Sequence, residues 1–230
     1  MTPVSPEMLP AVEVETGPSP AHTVIWLHGL GADGHDFVPI VNELAPTLGI
    51  PPVRFLFPHA PKRPVSINRG MVMRAWYDYD MLDPSSGLHE NMASLLASQR
   101  AIEALIVREG QRGIPPERIV VAGFSQGGAL ALQVGLRYPE KLAGIMVLSG
   151  YLPAPRTLGA EASPANLATS IFMAHGLGDN TVPMILAATS QRQLVESGYA
   201  VEWHEYRMAH SVCGEELADI GEWLQKVLLR

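Results

Sequence analysis

The sequence predicts an α/β fold, with a mainly parallel, twisted sheet and helices on both faces. Three observations carry this. Short apolar runs alternate with longer stretches of helical periodicity. Several of the runs end at glycine or proline. No linker or internal repeat divides the 230 residues, a length that suits one domain with a sizeable core. With 47% apolar and 17% charged residues, the chain has the balance of a packed globule rather than a disordered segment.

Residues 1–20 read as a Pro-rich N-terminal leader with a short strand at Ala11–Val14, ahead of one catalytic domain over 21–230. The tight apolar run from His22 to His28 is a buried strand running into a turn at Gly29. Phe37, Ile40, Val41 and Leu44 recur at helical spacing. Val53–Phe57 is a second strand, stopped by Pro58. From Ala60 to about Gly87 the periodicity breaks in a stretch rich in Pro, Met and aromatics, read as an irregular excursion with one short hairpin. A long helix follows over Glu90–Glu109, with Gly113 and Pro115 just past its end. The rest alternates: strands at Ile119–Ala122, Gly144–Leu148, Ile171–Ala174 and Ala200–Tyr206, and helices at Gly128–Arg137, Val182–Ser197 and Glu215–Leu229.

Charge and composition narrow the function. A net charge of −7 repels phosphate backbones and anionic membranes, so neither nucleic acid nor stable membrane insertion is expected. No run of about 18 apolar residues reads as a membrane span. The first twenty residues lack the basic start and apolar stretch of a signal peptide. Cys213 is the only cysteine, which excludes an intramolecular disulfide and fits a reducing compartment. A cytoplasmic location is the expectation.

The strongest local signal is Gly123-Phe124-Ser125-Gln126-Gly127, a G-x-S-x-G between a strand and a helix, the context of a nucleophile elbow. A serine hydroxyl needs a base within hydrogen-bond reach. The expected chain order is serine, acid, histidine. Asp179 lies in the loop after the Ile171–Ala174 strand, at the sheet edge where catalytic groups collect. It is the candidate acid, against a plainer role capping the helix near Val182. His210 follows the strand Ala200–Tyr206 and is the candidate base. His28 and His175, each beside a glycine, read as loop braces. A His204/His210 metal pair lacks a third ligand at suitable spacing, so no metal is expected. Cys213 has no elbow and reads as a small half-buried residue. Acyl transfer also needs donors for an oxyanion. The N–H of Gln126 is one candidate; the N–H of Leu30, in the Gly-rich loop Leu27–Gly34, is the other. The excursion should leave the sheet beside Ser125, so Ile67, Met73 and Trp76 in it, with Tyr151 and Leu177, are candidates to touch an acyl chain.

Six segments together, Leu27–Gly34 (LHGLGADG), Phe57–Pro61 (FPHAP), Trp76-Tyr77-Asp78, Gly123–Gly128 (GFSQGG), His175–Pro183 (HGLGDNTVP) and Met208-Ala209-His210, resemble the phospholipase/carboxylesterase family of bacterial carboxylesterases and acyl-protein thioesterases. The similarity runs from about His22 to the C-terminus. It implies an α/β-hydrolase fold without a large cap domain, the triad Ser125, Asp179 and His210, and oxyanion donors at Leu30 and Gln126. It implies no metal or organic cofactor, and small-molecule or lipid esters, or acylated proteins, as substrates. Dimers are common in similar bacterial proteins, so a homodimer is among the expectations. Tyr151 stands where thioesterase relatives often carry Trp. Three functions are weighed: a carboxylesterase of short- to medium-chain esters, favoured; a thioesterase or lysophospholipase of longer acyl chains; and a non-catalytic binding module on a hydrolase fold.

Overall fold

A computed structural model describes residues 8–80 and 89–229. Seven strands form one sheet: β1 (Ala11–Glu15), β2 (His22–Leu27), β3 (Val53–Pro58), β8 (Ile119–Phe124), β9 (Gly144–Leu148), β10 (Ser170–Gly176) and β11 (Val201–Tyr206), in the spatial order β1-β3-β2-β8-β9-β10-β11. Every neighbouring pair is parallel except β1 with β3. Between β3 and β8 the chain makes two small ladders, β4 (Lys62–Val65) with β5 (Met71–Arg74), and β6 (Tyr79–Asp80) with β7 (His89–Glu90).

The strands are apolar on both faces, as a sheet covered on both sides requires. The alternation is legible along β2: Ile25 and Leu27 face one layer of the core, Val24 and Trp26 the other. The first layer is closed by α2 (Met92–Gln111), α3 (Gln126–Arg137) and α5 (Met184–Glu196), through residues such as Ile102, Leu130 and Leu194. The second is closed by α1 (Ile40–Leu48) and α6 (Gly214–Leu228), through Val41, Leu44, Trp223 and Leu224. Trp26 and Trp223 are both fully buried in this layer. Truncating either to alanine would cost about 3–5 kcal/mol through the cavity left behind.

The expected alternation is present, with four differences of local origin. The opening segment is not wholly separate from the sheet: Ala11–Glu15 pairs with β3, Val12 opposite Phe57 and Val14 opposite Phe55. α2 begins two residues later than expected because Asn91 caps it, its side chain accepting the N–H of Ser94. α3 begins at Gln126, two residues earlier than expected, because the tight turn at Ser125 passes directly into it. A one-turn helix, α4 (Leu158–Glu161), is too short to leave a periodic signal. The excursion read over 60–87 contains the expected hairpin, 62–74; residues 81–87 of it, and 1–7 of the leader, lie outside the described residues.

Candidate active site

Strand β8 lies at the centre of the sheet, and Ser125 sits on the turn into α3. Its backbone is at φ 56° and ψ −120°, a conformation that L-residues avoid. The flanking glycines are required by space. A Cβ at Gly123 would run into the backbone of Gly127, and one at Gly127 into the Leu27 carbonyl. The strained turn is tied to β9 by the Ser125 N–H, which donates to the Leu148 carbonyl at 2.8 Å. The result lifts the hydroxyl off the sheet edge.

The loops after β10 and β11 bring the partners. His210 Nε2 lies 2.9 Å from Ser125 Oγ, and His210 Nδ1 lies 2.6 Å from Asp179 Oδ2. A carboxylate only accepts, so Nδ1 carries the proton and Nε2 is left to accept the serine hydroxyl. The two roles weighed for Asp179 are both filled, by different oxygens. Oδ1 accepts the N–H groups of Thr181 and Val182, at 2.8 and 2.9 Å, while Oδ2 faces the imidazole. The Asp179 side chain is wholly buried, that of His210 is 19% exposed, and Ser125 is itself buried. The Phe124 ring packs on His210 with centroids 4.7 Å apart.

The other histidines brace the frame. His175 Nε2–H donates to the Val182 carbonyl at 2.8 Å, holding the Asp179 loop closed. His28 Nδ1–H donates to the Gly29 carbonyl at 2.7 Å and its Nε2 accepts the Ala60 N–H. Burial lowers the His28 pKa to about 4, so the ring is neutral at pH 7 and suited to that one donor and one acceptor. His204 stacks on Phe172 and faces Glu202 and Asp219.

The loop after β2 passes over the nucleophile: a Cβ at Gly29 would lie 3.5 Å from Ser125 Cβ. The Gln126 N–H is the first of the α3 N–H groups without an intrahelical acceptor. Among the described residues neither it nor the Leu30 N–H has a backbone acceptor. A cleft of about 620 Å³ opens beside this loop, lined by Gly31, Ala32, Asp33, His35, Asp36, Lys62, Met73 and Arg74.

The five acyl-contact candidates are not gathered in one cavity. Met73 lines the cleft, among charged neighbours. Ile67 is half-buried in the turn between β4 and β5, and Leu177 is 53% exposed. Tyr151 meets the buried Tyr77, hydroxyl to hydroxyl, at 3.0 Å. Trp76 requires correction. It has no exposed surface with which to touch a substrate; its indole packs on His28 and donates to the His28 carbonyl. An isolated Trp in an irregular stretch reads equally as a pocket wall or a brace, and only its partner in space separates the two.

Asp33, His35 and His59 place three potential ligand atoms within 4.8 Å of one another. His59 Nδ1, however, accepts the Gly34 N–H at 3.0 Å, so its proton is on Nε2. A cation bound at Nε2 would leave the ring without either proton, which makes it a poor ligand at neutral pH.

A serine on a strained strand-to-helix turn, with an imidazole and a buried carboxylate delivered by the next two strand ends, is the arrangement of a serine hydrolase of α/β-hydrolase fold. The chain belongs to the phospholipase/carboxylesterase family, which it matches over residues 9–228. It is 41% identical to acyl-protein thioesterase 1 of Neurospora crassa over 230 residues, covering 97% of this chain and 91% of that one. Among solved structures it resembles SOBER1 of Arabidopsis thaliana, at 31% identity and a TM-score of 0.81, over 90% of this chain and 99% of that one. It also resembles acyl-protein thioesterase 2 of Zea mays, at 28% identity and a TM-score of 0.78, over 95% and 99% of the two chains. No helix among the described residues is long and apolar enough to cross a membrane.

Proposed function

We propose that Ser125, His210 and Asp179 hydrolyse short- to medium-chain carboxylic esters through an acyl-enzyme. The observation that carries the proposal is the unbroken relay of 2.9 and 2.6 Å hydrogen bonds ending on a serine held at positive φ. Ser125 Oγ attacks the ester carbonyl as His210 Nε2 takes its proton. The oxyanion is met by the N–H groups of Leu30 and Gln126. His210 then protonates the departing alkoxide, and the acyl group stays on Ser125. Water, deprotonated by the same imidazole, releases the acid and restores the serine. Asp179 keeps its charge throughout, orienting the ring and stabilising the imidazolium.

A second substrate range has its own support. The relatives named acyl-protein thioesterase 1 and 2 support acyl-protein thioesters as substrates, which the same relay would cleave. The single cysteine and acidic charge agree with a cytoplasmic setting.

A fluorophosphonate probe tests the proposal. It should label the wild type and leave a folded Ser125→Ala unlabelled. Esters and thioesters of graded chain length then divide the two substrate ranges. A folded wild type that stays unlabelled would make the chain a binding module on a hydrolase fold.

A further inference from the structure

The two oxyanion donors come from separate segments. Gln126 N–H belongs to the start of α3, and Leu30 N–H to the loop after β2. The β2–β8 pairing, Leu27 opposite Gly123, brings the segments together but ends before either donor. Beyond the sheet the segments pack on each other at Gly127 and Gly29, and a hydrogen-bonded bridge ties them as well. The bridge is visible. The Trp76 backbone N–H donates to Gln126 Oε1 at 2.8 Å, and Gln126 Nε2–H donates to the Tyr77 carbonyl at 2.9 Å. From the same residue the indole N–H reaches the His28 carbonyl at 2.8 Å. His28 in turn holds the Gly29 carbonyl, and the Arg74 carbonyl accepts the Gly31 N–H at 2.9 Å. The Trp76 carbonyl is anchored to α2 by the Ser98 hydroxyl. Leu30 is thus pinned on both sides, and among the described residues its own N–H has no backbone acceptor.

We infer that Trp76 and the Gln126 side chain are positioning residues, a buried clasp by which the 60–80 excursion sets the distance between the two oxyanion donors. Both are buried and every link joins a donor to an acceptor, so the clasp is rigid; a satisfied network away from water has little freedom to adjust. Neither side chain touches the reacting atoms. Each acts through the backbone it holds, so its loss should weaken the transition state and leave ground-state binding intact. This rests on the acyl-enzyme mechanism proposed above.

The test is Trp76→Phe, which keeps an aromatic ring and loses the N–H, with Gln126→Met as a second variant of similar length that loses both side-chain bonds. The probe is an aryl trifluoromethyl ketone. Ser125 Oγ adds to its carbonyl, the hydroxyl proton passes to His210, and the resulting alkoxide occupies the oxyanion position. The clasp predicts that kcat for a short ester falls about 10- to 100-fold in either folded variant, somewhat less than direct loss of a donor. KM should stay unchanged, and the ketone inhibition constant should rise by a similar factor. Variants with a lowered melting temperature but wild-type kcat and ketone affinity per titrated site would overturn the clasp. A wild type with no ketone affinity would instead remove the acyl-enzyme mechanism, and the clasp with it.

Discussion

Asp179 and Glu109 are both carboxylates with wholly buried side chains, near opposite ends of the sheet. Glu109, on α2, is saturated with charge. Arg54 Nη1 and the Thr23 hydroxyl reach one oxygen, at 2.7 and 2.9 Å, and Arg112 and Arg108 reach the other. Arg54 also holds Glu15, and Arg108 and Arg112 hold Glu13, so the cluster ties β1, β2 and β3 to the end of α2. Among the described residues no lysine or arginine lies beside Asp179; His175 Nε2 is 3.4 Å from its Oδ2. Two backbone N–H groups and the His210 Nδ1–H satisfy it, and the other ring nitrogen faces the Ser125 hydroxyl. The difference is instructive. Charge paired with charge holds a shape. Charge held by dipoles remains able to stabilise a proton that arrives during a reaction.

Perturbing each cluster should therefore have a different signature. The largest effect belongs to Ser125→Ala, which should lower kcat for an ester by about 10⁶-fold while the melting temperature holds or rises. Asp179→Asn comes next. An amide N–H turned toward His210 would favour the wrong tautomer, so kcat should fall about 10⁴-fold with the fold retained. Circular dichroism beside steady-state kinetics checks both.

Glu109→Ala should do the reverse, leaving three arginines without their shared anion. It should cost about 3–5 kcal/mol in urea unfolding at pH 7 and leave kcat per titrated site unchanged. Burial pushes Glu109 up, but the bonds to Arg54 and Thr23 and the arginine charges outweigh it and hold its pKa below the ordinary 4.5. The unfolded chain thus binds this proton more readily. The cluster's contribution is present above the ordinary value and lost as pH falls through the folded one. An acid-unfolding midpoint that is identical in wild type and variant would contradict this.

A pH-dependent effect of opposite sign is expected at Glu216, in the first turn of α6, buried with no cationic partner among the described residues. Burial, reinforced by the Asp219 charge, pushes it up to about 8. Here the folded chain holds the proton longer, so stability falls as pH rises from about 4.5 to about 8 and is flat above. Glu216→Gln should gain on the wild type across that window by at most about 1.4 kcal/mol per pH unit, read from urea midpoints at stepped pH.

The contrast between the two carboxylates also separates what could be read from the chain from what could not. Asp179 was identifiable because its chemistry requires a place in an order: a serine between two glycines after a strand, then an acid and a histidine at later strand ends. Glu109 has no such grammar. It ends a helical stretch and reads as an ordinary last-turn charge, because Thr23 and Arg54 lie 86 and 55 residues away. Trp76 was visible but misassigned, since its partners at His28 and Gln126 are 48 and 50 residues distant.

The sequence by itself determined the alternation of strands and helices, the two apolar faces of the sheet, the elbow, and the identity and order of Ser125, Asp179 and His210. Each of these is encoded locally, by a period, a glycine pair or a strand end. Only the tertiary structure decided that Ala11–Glu15 completes the sheet edge, that Asp179 splits its oxygens between a loop and a histidine, and that Trp76 braces the loop after β2 through His28. These depend on which distant donor meets which acceptor. Sequence periodicity records burial, but it does not record the partner.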